Sequence, residues 1–352
     1  MPVHSAFLSR VGWHSSFSVK RGVGPRQGKP TESPRSTLLN WSPTPYNRAH
    51  HRFCVLVACA TFLLLIAGAL VTSNDAGLSV PDWPTSFGSL YKLPRMVGGV
   101  KFEHGHRMVA ELVGLLTIIL AVWTWRVDRR GWVRKLGFAA LATVVAQGIL
   151  GGITVLFYLP PAVSTAHATL AQTFFCIVVV LALVTGRGWT EAPRLKLAES
   201  HRLPLTTLAT VAAASVYVQL ILGAGFRHSG IKLLPHLISA IVVTTLVLWT
   251  VTHVLASYGS VAPLRRPAVV LMALLVTQLG LGFAAYLTRV QWGQDAVQPE
   301  TPMIASTVAH VAVGALVLAS AVVLAMQGWR HMGRAQENEA ISPSLLKNAV
   351  NA

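Results

Sequence analysis

The chain alternates long apolar runs with short polar interruptions. A helix needs roughly 20 consecutive apolar residues to cross a bilayer core. Eight stretches reach that length, at about 53–71, 106–125, 136–156, 162–185, 205–226, 233–255, 268–287 and 303–326. An even number of crossings leaves both ends on one side. The pattern predicts an all-α integral membrane protein of eight transmembrane helices.

The domain organisation follows from where the runs stop. Residues 1–52 are rich in Ser, Pro, Gly and Arg, show no helical or strand periodicity, and read as a disordered basic cytoplasmic segment. A first four-helix unit then occupies 53–185 with a long outer loop at 73–103, followed by a cytoplasmic linker at 186–204. A second four-helix unit spans 205–327, and 328–352 forms a cytoplasmic tail.

Composition agrees with this division. Of 352 residues, 53% are hydrophobic and only 12% charged, against about 25% charged in ordinary soluble domains. That balance excludes a soluble or a largely disordered chain. The net charge of +17 is explained by topology: 22 of the 29 Lys and Arg fall on the termini and alternate loops of one side, and six on the other. The positive-inside rule makes the richer side cytoplasmic, with both termini inside and the 73–103 loop outside. Nucleic-acid binding is therefore not expected. The first segment also has the composition of an organelle transit peptide, but a bacterial inner membrane is favoured over a mitochondrial one. Cys54, Cys59 and Cys176 all lie in apolar runs, which argues against a disulfide framework or a thiolate metal site.

The two halves repeat the same order of rare residues. His106 opens His-Arg-Met-Val-Ala-Glu in the second span and His236 opens His-Leu-Ile-Ser-Ala-Ile in the sixth. Gln147-Gly-Ile-Leu-Gly-Gly in the third span answers Gln278-Leu-Gly-Leu-Gly in the seventh. Ser164-Thr-Ala-His167 matches Ser306-Thr-Val-Ala-His310, and a weaker match links Gly68-Ala-Leu-Val-Thr with Gly223-Ala-Gly-Phe-Arg. Two pseudo-symmetric four-helix bundles, related by an axis along the membrane normal, are the expected architecture.

Ionisable residues inside spans mark functional sites by default. His106, His167, His236 and His310 occupy repeat-equivalent places, all expected in the outer half of the membrane. Any one of them alone reads equally as an interhelical hydrogen-bonding residue. Four in two equivalent pairs favour haem, whose iron needs only axial ligands from facing helices, over zinc, which usually takes three or four protein ligands. His228 and His253 lack such a pairing and read as structural.

Glu103 lies three residues before His106 and shares its helical face, whereas Leu233 holds the matching place before His236. It is either a carboxylate favoured by the helix dipole or an acid/base group beside one haem only. Arg107 suits a haem propionate, or snorkelling to the headgroups. The Pro-, Gly- and aromatic-rich stretch from Asn74 to Gly88 reads as an ordered cap over the first unit.

With these residues in view, the chain resembles the haem A synthase family between about residues 52 and 327. The resemblance rests on Gly77-Leu-Ser-Val-Pro-Asp-Trp-Pro84, Glu103-x-x-His106-Arg107, Leu150-Gly-Gly-x-Thr-Val-Leu156 and the later histidines in order. It implies that His236 and His310 ligate a haem B cofactor, that His106 and His167 hold the substrate haem O, and that Glu103 is the essential carboxylate. The implied reaction oxidises the C8 methyl group of haem O to a formyl group by successive hydroxylations, in support of cytochrome oxidase assembly. It further implies dealings with a haem O synthase and an electron donor in the membrane. Some members carry paired cysteines in outer loops, and none stands there in this chain. A two-haem bis-histidine cytochrome that only transfers electrons is the competing expectation. Small residues such as Gly68, Gly223 and Gly225 suit close packing either within the chain or in a homo-oligomer.

Overall fold

A computed structural model of the chain describes residues 45–90, 92–197, 203–293 and 297–333. The calls made on residues 1–44 and 334–352 lie outside these. The described elements are helical: α1 (Arg48–Ser73), α2 (Val100–Val127), α3 (Gly131–Leu156), α4 (Pro161–Thr185), a single turn α5 (Arg187–Thr190), α6 (Leu205–Arg227), α7 (Leu233–Tyr258), α8 (Ala262–Ala285) and α9 (Thr301–His331). A π-helical turn, Tyr286–Gln291, continues α8. Eight of these helices are long and apolar enough to cross a membrane, as expected from the eight apolar runs.

Several helices extend beyond their apolar runs, for local reasons. The side chain of Asn47 accepts a hydrogen bond from His50 N (3.0 Å), so α1 starts at Arg48 rather than after Arg52. α9 continues past residue 327 because its last turn is tied down. Arg330 donates to the carbonyls of Trp189 and Ala192, and the backbone of Leu197 pairs with His331 and Gly333. The described part of the 186–204 segment is thus docked against α9, more than a linker.

Each half closes into a ring of neighbours, α1–α2–α3–α4 and back to α1, then α6–α7–α8–α9 and back to α6. The halves meet where α9 touches α1 and α4, and where α4 touches α6. This shared neighbour order is compatible with two pseudo-symmetric bundles. α9 is the most enclosed of the spans and α8 the least.

Lipid gives helices no hydrophobic reason to associate, so small and β-branched residues carry the packing. Val57, Val113, Val133 and Val178 are fully buried in the first half, and Val247, Val251 and Ala268 in the second. Outward-facing Leu63, Ile241 and Phe283 are 61%, 70% and 64% exposed, as befits a lipid face. Several threonine hydroxyls within the spans are satisfied internally: Thr61, Thr117 and Thr185 each return a hydroxyl to a carbonyl four residues earlier.

Candidate haem-binding pairs

The four span histidines share one local construction. Each imidazole lies against a glycine of the preceding long helix, and its Cε1 faces that glycine most closely. A Cβ added at Gly68 would stand 3.1 Å from His106, at Gly151 3.3 Å from His167, at Gly223 2.9 Å from His236 and at Gly282 3.0 Å from His310. Only a residue without a side chain admits a ring at that depth, which accounts for Gly in all four positions. Gly225 meets Ile231 in the same way. The small residues named from the sequence are therefore used within the chain.

One turn before each glycine stands a second recurring position. Each ring lies close to the backbone of that residue: Leu64 for His106, Gln147 for His167, Gln219 for His236 and Gln278 for His310. Gln219 also donates its amide to His236 O (3.0 Å) and approaches His236 Nδ1 (3.1 Å), while the Gln278 amide lies 3.5 Å from His310 Nε2. The sequence comparison saw Gln147 and Gln278 but missed Gln219 and its counterpart Leu64. A search for the same four-residue spacing ahead of Gly68 and Gly223 would have found both.

The rings come in pairs. His236 and His310 have ring centres 6.3 Å apart with planes at 81°. Two metal–imidazole bonds of about 2 Å, plus roughly 1 Å from each nitrogen to its ring centre, give about the same separation. His106 and His167 are close enough to interact electrostatically. Nδ1 of His106, His167 and His310 is buried without a hydrogen-bond partner, an arrangement that calls for a bound group. Among the described residues no three His, Cys, Asp or Glu side chains converge on a metal site. Donors in twos, on facing helices, fit a group that brings its own equatorial ligands, namely haem.

Glu103 and Arg107 form the junction between α2 and the loop that precedes it. Glu103 is 4% exposed. Its Oε2 accepts the backbone N–H of Val80 (2.8 Å), and its Oε1 accepts Arg107 Nη2 (2.7 Å). Arg107 Nη1 donates to the carbonyls of Asp82 (2.7 Å) and Thr85 (3.1 Å). A propionate role for Arg107 therefore competes with its hold on the loop. The loop is ordered as a cap. Trp83 lies so close over Gly152 that a Cβ there would fall 2.5 Å from the indole, and Gly152 is the neighbour of the glycine facing His167. Asp82 organises the tip by accepting from Thr85 and the N–H groups of Phe87 and Gly88. Desolvation opposes ionisation of Asp82, but these hydrogen bonds outweigh it and hold its pKa below the ordinary carboxylate value.

Of the histidines set aside, His228 follows α6, and burial pushes its pKa down to about 4, with the charges of Arg227 and His167 acting in the same direction. All three cysteines are free thiols.

A profile of the COX15-CtaA family, described as cytochrome oxidase assembly protein, matches residues 100–234. The chain is similar to that family over this stretch. The match covers α2 to the start of α7, including Glu103, His106, Gly151, His167 and Gly223. Curated relatives carry the name haem A synthase. That of Alkalihalophilus pseudofirmus is 29% identical over 182 residues, 50% of this chain and 59% of the relative. That of Lysinibacillus sphaericus is 33% identical over 144 residues, 40% and 46% respectively. That of Bacillus licheniformis is 28% identical over 193 residues, 53% and 61%. The chain thus spans about half the length of the curated relatives it matches.

Proposed function

We propose that the chain is a haem A synthase, oxidising the C8 methyl group of haem O to a formyl group by successive hydroxylations. The observation that carries this reading is the asymmetry between two otherwise matched histidine pairs: a buried carboxylate, Glu103, stands one turn from His106, and no carboxylate stands at the matching place before His236. Kinship with proteins named haem A synthase supports it.

In this reading His236 and His310 hold a resident haem B, and His106 and His167 hold the substrate. Haem B, when bound, supplies a one-electron relay. Glu103 holds or moves a proton at the carboxylate oxygens now shared between Val80 N and Arg107, with α2 fixing it beside His106. Arg107 keeps that carboxylate oriented and reaches a substrate propionate when the cap loosens. Trp83 and the rest of the cap keep bulk water from the reacting edge. With dioxygen as the oxidant, each hydroxylation puts one oxygen atom into a C–H bond of the methyl group and releases the other as water, consuming two donor electrons and two protons, and the gem-diol reached after two such steps loses water to give the formyl group. The protein sits in the bacterial inner membrane with both termini cytoplasmic, receives haem O from a haem O synthase and draws electrons from a membrane donor.

One observation favours the electron-carrying cytochrome instead: both oxygens of Glu103 are engaged in holding the cap, as a purely structural carboxylate would be. The two readings separate in a host that makes haem O but not haem A. Extraction and mass analysis are expected to find haem A with the unaltered chain and none with Glu103→Gln. Haem O left unconverted by the unaltered chain in an aerated culture would establish the cytochrome.

A further inference from the structure

Beyond the histidines, one group of side chains is arranged for a ligand. Arg227 ends α6, four residues after Gly223, so it lies about 6 Å along the axis from the cradle of His236. Arg289 lies in the π-helical turn, seven residues after Gly282, and so is displaced from the cradle of His310 toward the same end of the bundle. Arg227 Nη2 donates to Ser73 Oγ (3.0 Å), while its Nη1 is buried with no partner. Arg289 Nη1 donates to the thioether of Met303 at 3.7 Å, a weak acceptor.

Among the described residues neither guanidinium belongs to an ion pair, although three other arginines do. The two are close enough to act on one another, and Asp75 acts on Arg227 from beyond ion-pair range. Two like charges beside a low-dielectric bundle, with one carboxylate near them, are costly unless further anions join them. A cavity of about 240 Å³ opens beside Arg289 and is also lined by Asp75, Gln298 and Met303.

We infer that Arg227 and Arg289 are a carboxylate-binding pair that takes the propionates of the porphyrin held between His236 and His310. This rests on the haem reading given above. The first half has no such pair. Four residues after Gly68 stands Thr72, whose hydroxyl returns to Gly68 O, and seven after Gly151 stands the exposed Tyr158. Its own arginine, Arg107, is spent on loop carbonyls and Glu103. Charge anchoring on one side only is what a resident cofactor requires and a departing product does not.

The test uses the full-length protein, purified from a haem-depleted host and reconstituted with haem B or with its dimethyl ester, whose propionates carry no charge. The unaltered chain is expected to take up haem B with a bis-imidazole spectrum and to release it to an excess of apomyoglobin about ten- to a hundredfold more slowly than the ester, the ratio that loss of charge-assisted hydrogen bonds implies. Arg227→Gln and Arg289→Gln should keep the bis-imidazole spectrum, lose most of that discrimination and lower the midpoint potential, because a positive charge near the iron favours the reduced form. Arg289→Lys should restore part of each effect. Equal release of haem B and its ester by the unaltered chain would overturn the inference even if the arginine variants failed to fold. So would glutamine variants with unchanged discrimination and potential. If the unaltered chain took up neither porphyrin, the haem reading would fall, and this inference with it.

Discussion

His106 and His236 occupy matching places, against glycines of α1 and α6, yet their surroundings differ at every further contact. His236 receives the amide of Gln219 at the position where His106 meets Leu64. Three residues before His106 stands buried Glu103, and before His236 stands Leu233. α1 and α2 are joined by the capped loop from Asn74 to Gly99, whereas α6 and α7 are joined by the five residues His228–Lys232. The second half is built to hold its ring still, with an amide on the imidazole and two guanidiniums beyond it. In the first half the same frame has one amide fewer, a buried carboxylate and a loop folded over it. In the proposed reading, duplicated packing fixes where two porphyrins would sit, and a handful of unlike residues decides which of them reacts.

The largest effect is expected at Glu103. Glu103→Gln should remove haem A formation while leaving the bis-imidazole absorption of the purified protein nearly unchanged, and retention of full product formation would leave the halves functionally alike. Next come the glycine cradles. Gly223→Val and Gly282→Val, where even a Cβ would fall 2.9 Å and 3.0 Å from a ring, should cost about 1–3 kcal/mol each and displace the imidazole, seen as loss of bound haem. Gly151→Ala, whose Cβ would stand 3.3 Å from the ring of His167, should be milder and should affect conversion more than resident haem.

A smaller and more pointed test is Leu64→Gln, which gives the position ahead of Gly68 the glutamine that stands four residues before Gly151, Gly223 and Gly282. It is expected to tighten substrate binding, measured as a lower KM, and to slow turnover. Unchanged kinetics would deny that position a part in the asymmetry. The smallest effect belongs to Asp82. Its folded pKa is depressed, so its contribution to the cap is present above the ordinary value of 3.8 and is lost as pH falls through the lower folded value. Hydrogen exchange at Phe87 and Gly88 should accelerate over that acid range, and in Asp82→Asn it should be fast at every pH.

Much of this was legible in the sequence. Continuous apolar runs specify spans because a bilayer leaves the backbone few alternatives, and the recurrence of His and Gln in one order located the paired sites. Helix ends were missed where polar residues prolong a helix beyond its apolar run: Asn47 at the start of α1 and Arg330 near the end of α9. The glycine cradles were only half visible, since a glycine in an apolar run does not declare which side chain crosses it. Arg227 and Arg289 read as ordinary loop charges from sequence, because their lack of carboxylate partners depends on which elements meet at that end of the bundle. Arg107 reads from sequence as a propionate contact or a residue snorkelling to the headgroups, and its contacts to the cap and Glu103 emerge only once the loop is folded back over α2.

The central claim is that the second half keeps a resident haem and the first half passes one through. The most direct measurement is the haem content and type of purified protein carrying His106→Ala with His167→Ala, set beside protein carrying His236→Ala with His310→Ala, both from cells that make haem B and haem O. The account predicts that the first pair retains stoichiometric haem B and has no haem O or haem A, and that the second loses haem B. Equal loss of haem B from both, or its loss only with the first pair, would contradict it.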